Sequence, residues 1–132
     1  TTTQHIASGI DLVSERALSD QLLMEVLLLR RADAVDDARH LRTTTTDPTV
    51  RCNAELAVAV SAMRAGRHDE SIEASVNAVA QTALDPTLTS EIHPEIFLAN
   101  SLFYGEYFEE SAAALARAER AARRAEVVWP IP

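Results

Sequence analysis

The sequence contains no lysine: all 12 of its basic residues are arginine, set against 20 acidic ones for a net charge of −8. A chain this acidic repels a phosphate backbone as a whole, which argues against direct contact with nucleic acid. Cysteine occurs once, at Cys52, so no intrachain disulfide can form and the role of a small buried hydrophobe is left. With only three glycines and six aromatic residues among 132 residues, the composition favours helix over sheet. Long apolar runs are missing too: Leu22 to Leu29 is broken by Glu25 and is too short to cross a membrane, and no stretch resembles a signal peptide. Together these absences exclude a secreted disulfide scaffold and a membrane span. They predict an all-α, cytoplasmic chain forming a single domain over 1–132. The lack of lysine with abundant alanine suggests a GC-rich bacterial genome, and the missing initiator methionine suggests a piece of something longer.

What is present is a series of helix starts and stops. Residues 19–31 carry Leu22, Val26 and Leu29 at helical spacing behind Ser19 and Asp20, either of which can cap the free N–H groups. A short helix over about 35–43 ends in four consecutive threonines, which lose side-chain freedom in a helix. Asp47-Pro48 is a start signal, an N-cap followed by proline at the first helical position, and opens a helix that Gly66 closes. Further helices are expected over about 68–83, from Pro94 to near Tyr104, and over about 107–127. Residues 1–18 form a preceding helix or a linker, and 128–132 read as a linker.

The same pattern of helix exit, short turn, acidic pair and small residue recurs at ADAVDDARHL (32–41), AGRHDESIEA (65–74) and YGEYFEESAAAL (104–115). Its small residues Ala38, Ser71 and Ser111 are spaced by 33 (38 to 71) and 40 (71 to 111) residues. A period in the thirties marks helical-hairpin repeats. The tight turn reverses the chain, the acidic pair complements the dipole of the second helix, and the small residue admits close packing. The fold expected is therefore a stack of antiparallel helical hairpins, with units at about 19–43, 48–83 and 94–127.

In this register the chain resembles tetratricopeptide repeats. Gly66, His68, Ser71 and Ala78 fall where that family has its turn glycine, turn aromatic, small residue and later alanine, and Leu98, Ala99, Leu102, Phe108, Ser111 and Ala118 fit the next unit. Glu55 and Glu95 stand at the family's early tryptophan position, and Gly105 is displaced by one residue. The resemblance implies an α-solenoid fragment. The cadence of an Asp-Pro start, Ala-Gly-Arg with two acidic residues, and an alanine-rich helix is also similar to the helical-repeat region of large ATP-binding LuxR-type bacterial transcriptional regulators. That likeness implies a signal-input module, although no phosphate-binding loop or basic recognition helix is present. The alternative is a stand-alone adaptor binding a partner protein.

No residues assemble into a catalytic set, so an enzyme is not expected, nor a cofactor. His5, His40, His68 and His93 lie in separate segments without metal-ligand spacing. The acidic pairs Asp36-Asp37, Asp69-Glu70 and Glu109-Glu110 are accounted for by helix starts, and Arg117, Arg120, Arg123 and Arg124 by a solvated helix face. In the resembling repeats the concave side is lined by the first helix of each hairpin. By register it would present Asp20, Leu23, Leu27, Arg30 and Arg31; then Asn53, Leu56, Val60, Met63 and Arg64; then His93, Ile96, Asn100, Phe103 and Tyr104. Of these, Arg31, Asn53, Arg64, Asn100, Phe103 and Tyr104 are the candidates for holding a protein segment or a small-molecule effector. The competing reading is that the apolar members simply pack between helices. All six aromatic residues lie at or after position 97, so the last hairpin is the stickiest part. Phe97, Tyr107, Val127, Val128 and Trp129 are the expected contacts of a two-fold homodimer.

Overall fold

A computed structural model describes the backbone of residues 2–85 and 93–128, and side chains over 12–85 and 93–124. Among these residues there are six helices and no strand: α1 (Thr2–Leu27), α2 (Ala34–Thr44), α3 (Pro48–Arg64), α4 (His68–Leu84), α5 (Pro94–Tyr104) and α6 (Phe108–Val128). They form three antiparallel hairpins, α1–α2, α3–α4 and α5–α6, stacked in chain order. The first helices touch in sequence, α1 on α3 and α3 on α5, while α2 and α4 also pack on the first helix of the next hairpin.

The helix starts follow the local chemistry. Asp47 accepts a hydrogen bond from the Val50 N–H at 3.1 Å with Pro48 in the first turn, and the Arg16 guanidinium fixes that carboxylate through bonds of 3.1 and 2.8 Å. At α5, His93 Nδ1 accepts from the Glu95 N–H at 3.2 Å ahead of Pro94. At the end of α2, Thr43 and Thr44 donate back to the His40 carbonyl, and Thr45 leaves in an extended conformation with ψ 147°.

All three hairpins reverse by one device. After α3, Gly66 N–H bonds to the Met63 carbonyl and Arg67 N–H to that of Ala62; after α1, Leu29 and Arg30 bond to Val26 and Glu25; after α5, Glu106 and Tyr107 bond to Phe103 and Leu102. This is the Schellman arrangement, which places one residue in the left-handed region. That residue is Gly66 at φ 77° in the middle hairpin, but Leu29 at φ 53° and Glu106 at φ 69° in the others. The first helix therefore corrects the expected boundaries: instead of spanning 19–31 it is continuous from Thr2 and ends a turn early at Leu27.

The two serines of the repeat do equivalent work. Ser71 donates to the Ala59 carbonyl at 3.0 Å and Ser111 to the Ala99 carbonyl at 2.7 Å, binding each second helix to its own first helix. Because each hydroxyl has one proton, Ser101 must donate to Ser71 and Ser75 to Ser101, at 2.7 and 3.1 Å. This buried chain joins the middle and last hairpins.

Candidate functional site

The surface of the first helices is where a groove is expected, and α3 shows how far it closes. Every residue from Cys52 to Val60 is buried, because α1, α2, α4 and α5 all pack on α3. Asn53 and Leu56, placed on the groove floor by register, are interior residues, and Val60 is buried except where it borders a cleft. Leu23 is interior as well. The Asn53 amide donates to Ser19 Oγ at 3.1 Å and to Asp20 Oδ1 at 2.7 Å, so it ties α3 to α1 and faces no ligand.

Among the described residues the groove opens where α3 emerges from its neighbours. There a cleft of about 230 Å³ lies between the end of α1, α3 and α5, lined mainly by Leu27, Val60, Met63, Ile96, Phe97 and Asn100, with Arg64 at its edge. The floor is apolar, and Asn100 contributes an exposed amide. Arg64 is less available than its position suggests: its guanidinium donates to the last carbonyls of α1, those of Val26 and Leu27, the latter at 2.7 Å. A cation there neutralises the negative end of the helix dipole and satisfies carbonyls that lack partners within the helix.

Beyond Arg64 is a second hollow of about 420 Å³, bordered by Glu25, Val26, Leu29, Arg31, Val35 and Ser61. Arg31 belongs to the α1–α2 turn and not to a helix. It donates to Glu25 at 2.5 Å, Asp33 at 3.2 Å and Asp37 at 2.9 Å. The hydrogen bond from Arg31, followed by that from Gln21, holds the Glu25 carboxyl below its ordinary range, and Arg31 is raised in turn. Placing Arg31 by register fails for the same reason that α1 is shorter at this end: the first turn is longer than the other two.

The cleft thus brings together Arg64 and Asn100, with Phe97 beside them; Arg31 lies in the neighbouring hollow, and Asn53 is inside. Phe103 and Tyr104 are not among its lining residues. Both are exposed at the end of α5, where Phe103 packs edge-on against Tyr104 and Phe108 with ring centroids 5.7 and 5.4 Å apart. Of the self-association candidates, Phe97 is half-buried against the core, and Tyr107 borders a shallow hollow with Ile72 and Leu102. The side chains of Val127 and Val128, and Trp129 altogether, lie outside the described residues.

Glu70, in the first turn of α4, pairs with Arg67 at 2.8 Å and with Arg39 of the preceding hairpin, and the Arg67 bond is the main cause of its lowered pKa. Among the described residues no group of three His, Cys, Asp or Glu is placed to hold a metal ion, and no helix is long and apolar enough to cross a membrane. Set against known proteins, the chain matches no family model, no curated protein and no solved structure.

Proposed function

We propose that the chain is a non-enzymatic docking module, a tetratricopeptide-like row of hairpins whose cleft at the end of α3 receives an apolar segment of a protein partner or a small-molecule effector. In this reading it is the signal-input region of a multidomain bacterial transcriptional regulator of the LuxR type. The observation that carries the docking role is the composition of the cleft. An apolar floor flanked by Asn100 and Arg64 suits a ligand with an apolar body and a few hydrogen-bonding groups. None of the cleft's lining residues offers a carboxylate, imidazole or thiol, and its one hydroxyl, on Ser101, is committed to Ser71, which favours binding over chemistry.

A photo-crosslinking residue at Asn100, compared with one at Val76 on the exposed part of α4, tests the docking role. Capture of a ligand at Asn100 alone is expected, and equal labelling at both positions overturns the reading. The regulator context is tested by the parent reading frame, which should encode a phosphate-binding loop upstream and a helix-turn-helix downstream. A frame lacking both supports the stand-alone adaptor instead.

A further inference from the structure

Within the chain each later first helix packs on both helices of the hairpin before it, α3 on α1 and α2, and α5 on α3 and α4. Half of that contact is left over at each end of the stack: the outer side of α1, and the groove between α5 and α6. A solenoid end that stays single carries a polar outer face, and both of these present apolar side chains instead. The left-handed turn residues Leu29, Gly66 and Glu106 place the two halves in register with the contacts inside. Met24, Ser61 and Ser101 each stand five residues before their turn residue, and Ser75 and Leu115 each nine after theirs. Inside, Ser101 of α5 accepts from Ser75 of α4 at 3.1 Å. The corresponding end residues are Met24 and Leu115, exposed at 46% and 50%.

Their neighbours match too. Val13 and Ala17 correspond to Val50 and Ala54 of α3, which are fully buried; with Met24, and Leu28 just past the helix, they make one exposed stripe on α1. That stripe lies opposite the buried Leu22, Leu23 and Val26, as helical spacing requires. At the other end, Ile72 of α4 packs against the cluster of Leu98, Ala99 and Ala114, and Met63 of α3 borders the cleft beside Phe97. Their counterparts, Ala112 of α6 and Phe103 of α5, are exposed. The polar positions pair as well. Inside, Phe97 lies by Val60 and Val79 packs on the Leu98 cluster; in the same register Asp20 comes to Asn100 and Glu119 to Gln21, each a carboxylate beside an amide that can donate to it. We infer that α1 of one copy docks in the α5–α6 groove of another, as α5 docks on α3 and α4, with Met24 seated on Leu115. The occupant is a second copy because this chain carries both halves of an interface that it already builds twice internally. The two faces differ, so copies join head to tail, in an open row or a closed ring. This is not the two-fold pair expected from the sequence.

Sedimentation equilibrium over a wide concentration range tests this. The average mass is expected to rise past twice the 14.4 kDa of one chain. Met24→Arg disables one face and Leu115→Arg the other, and because both positions are exposed, helical circular dichroism should not change. Each variant alone should be a monomer. An equal mixture should form a dimer and stop there, since each supplies the face that the other lacks, which a two-fold contact through either face does not allow. Independently, a chain with both Met24→Cys and Leu115→Cys should give a ladder of disulfide-linked species on mild oxidation, as the 3.1 Å Ser75–Ser101 pair implies for these positions, while either substitution alone should not. A monomer at every concentration, association that ends at a dimer in the parent chain, or variants that associate alone or fail to pair when mixed overturns the proposal.

Discussion

The middle and last hairpins are built from opposite materials. No aromatic residue occurs before position 97, and α3 fills the centre of the molecule with alanine, valine and leucine, fully buried over Cys52 to Ala59. The last hairpin holds the aromatics, yet its own buried cluster is Leu98, Ala99 and Ala114, helped by Ile72, Val79 and Leu102, while Phe103, Tyr104, Tyr107 and Phe108 stay outside. Side-chain size therefore does not decide burial here; the number of neighbouring helices does. Small residues let four helices close around α3, but among the described residues α6 meets only α5, and Phe103, Tyr104, Tyr107 and Phe108 are left largely exposed.

The largest expected effect separates these two regions. Leu56 is fully buried in α3, so Leu56→Ala loses both its transfer free energy and the packing around the cavity left behind, about 2–5 kcal/mol. Phe103 is 55% exposed, and Phe103→Ala should cost less than about 1 kcal/mol despite removing more atoms. Urea denaturation midpoints for the two variants check this. Comparable shifts would mean that the last hairpin has a core of its own that includes Phe103.

A second contrast concerns two glutamates, Glu55 of α3 and Glu95 of α5. Glu55 is almost wholly buried and reaches Arg42 of the preceding hairpin at 3.4 Å, whereas Glu95 pairs with Arg117 of its own hairpin at 3.0 Å. Desolvation is the largest influence on Glu55 and raises its pKa. A carboxyl raised in the folded state contributes stability below its unfolded pKa, and that contribution is lost as pH rises through the folded value. Glu55→Gln should therefore gain on the parent chain between pH 4 and 7. Asp47 behaves oppositely: the Arg16 hydrogen bond lowers its pKa, so its contribution is present at neutral pH and lost on acidification. Asp47→Asn should therefore be less stable than the parent chain at neutral pH, and the gap should close only below about pH 4, where the unfolded carboxyl takes up its proton. Thermal midpoints that run parallel to the parent's, above about pH 4 for Glu55→Gln and below it for Asp47→Asn, would refute the assignment.

The helical class and the hairpin stack were legible because their signals are local. Asp47-Pro48 and His93-Pro94 sit where α3 and α5 begin, Gly66 adopts the positive φ expected of a helix-ending glycine, and the threonine run ends α2. The groove was legible in part: Leu27, Val60, Met63, Arg64, Ile96 and Asn100, placed there by register, border the cleft. Asn53 and Leu56 share that register but lie inside, because exposure depends on how many helices surround a position and periodicity along one helix does not encode that number. Nor does it encode the engagement of the Arg64 guanidinium by the carbonyls of a helix 37 residues earlier. Gly105 shows a third limit. It is not the left-handed residue of its turn; a Cβ there would lie 3.3 Å from Ile72 Cδ1 of α4, so the glycine provides clearance between hairpins, a requirement set by a distant side chain.

The smallest effect, and the sharpest comparison, lies in the three turns. They share one hydrogen-bond pattern, yet only the middle one has glycine at the left-handed position. A side chain in that region crowds the following carbonyl at a cost of roughly 1–2 kcal/mol, while glycine there loses more backbone freedom on folding, which offsets part of the gain. Leu29→Gly and Glu106→Gly should each stabilise the chain by up to about 1 kcal/mol. Packing should oppose this little, because Leu29 is 76% exposed and Glu106 is also at the surface. Gly66→Ala should destabilise by a similar amount, and through the backbone alone, because no atom lies within 4 Å of a Cβ built there. The turns are far apart in sequence and share no partner, so the two gains should add in the double variant. Urea midpoints decide the matter. If Leu29→Gly instead lowers stability, its side chain is holding the hollow beside Arg31 and Val35 in shape, and the leucine is kept for that contact in spite of its strain.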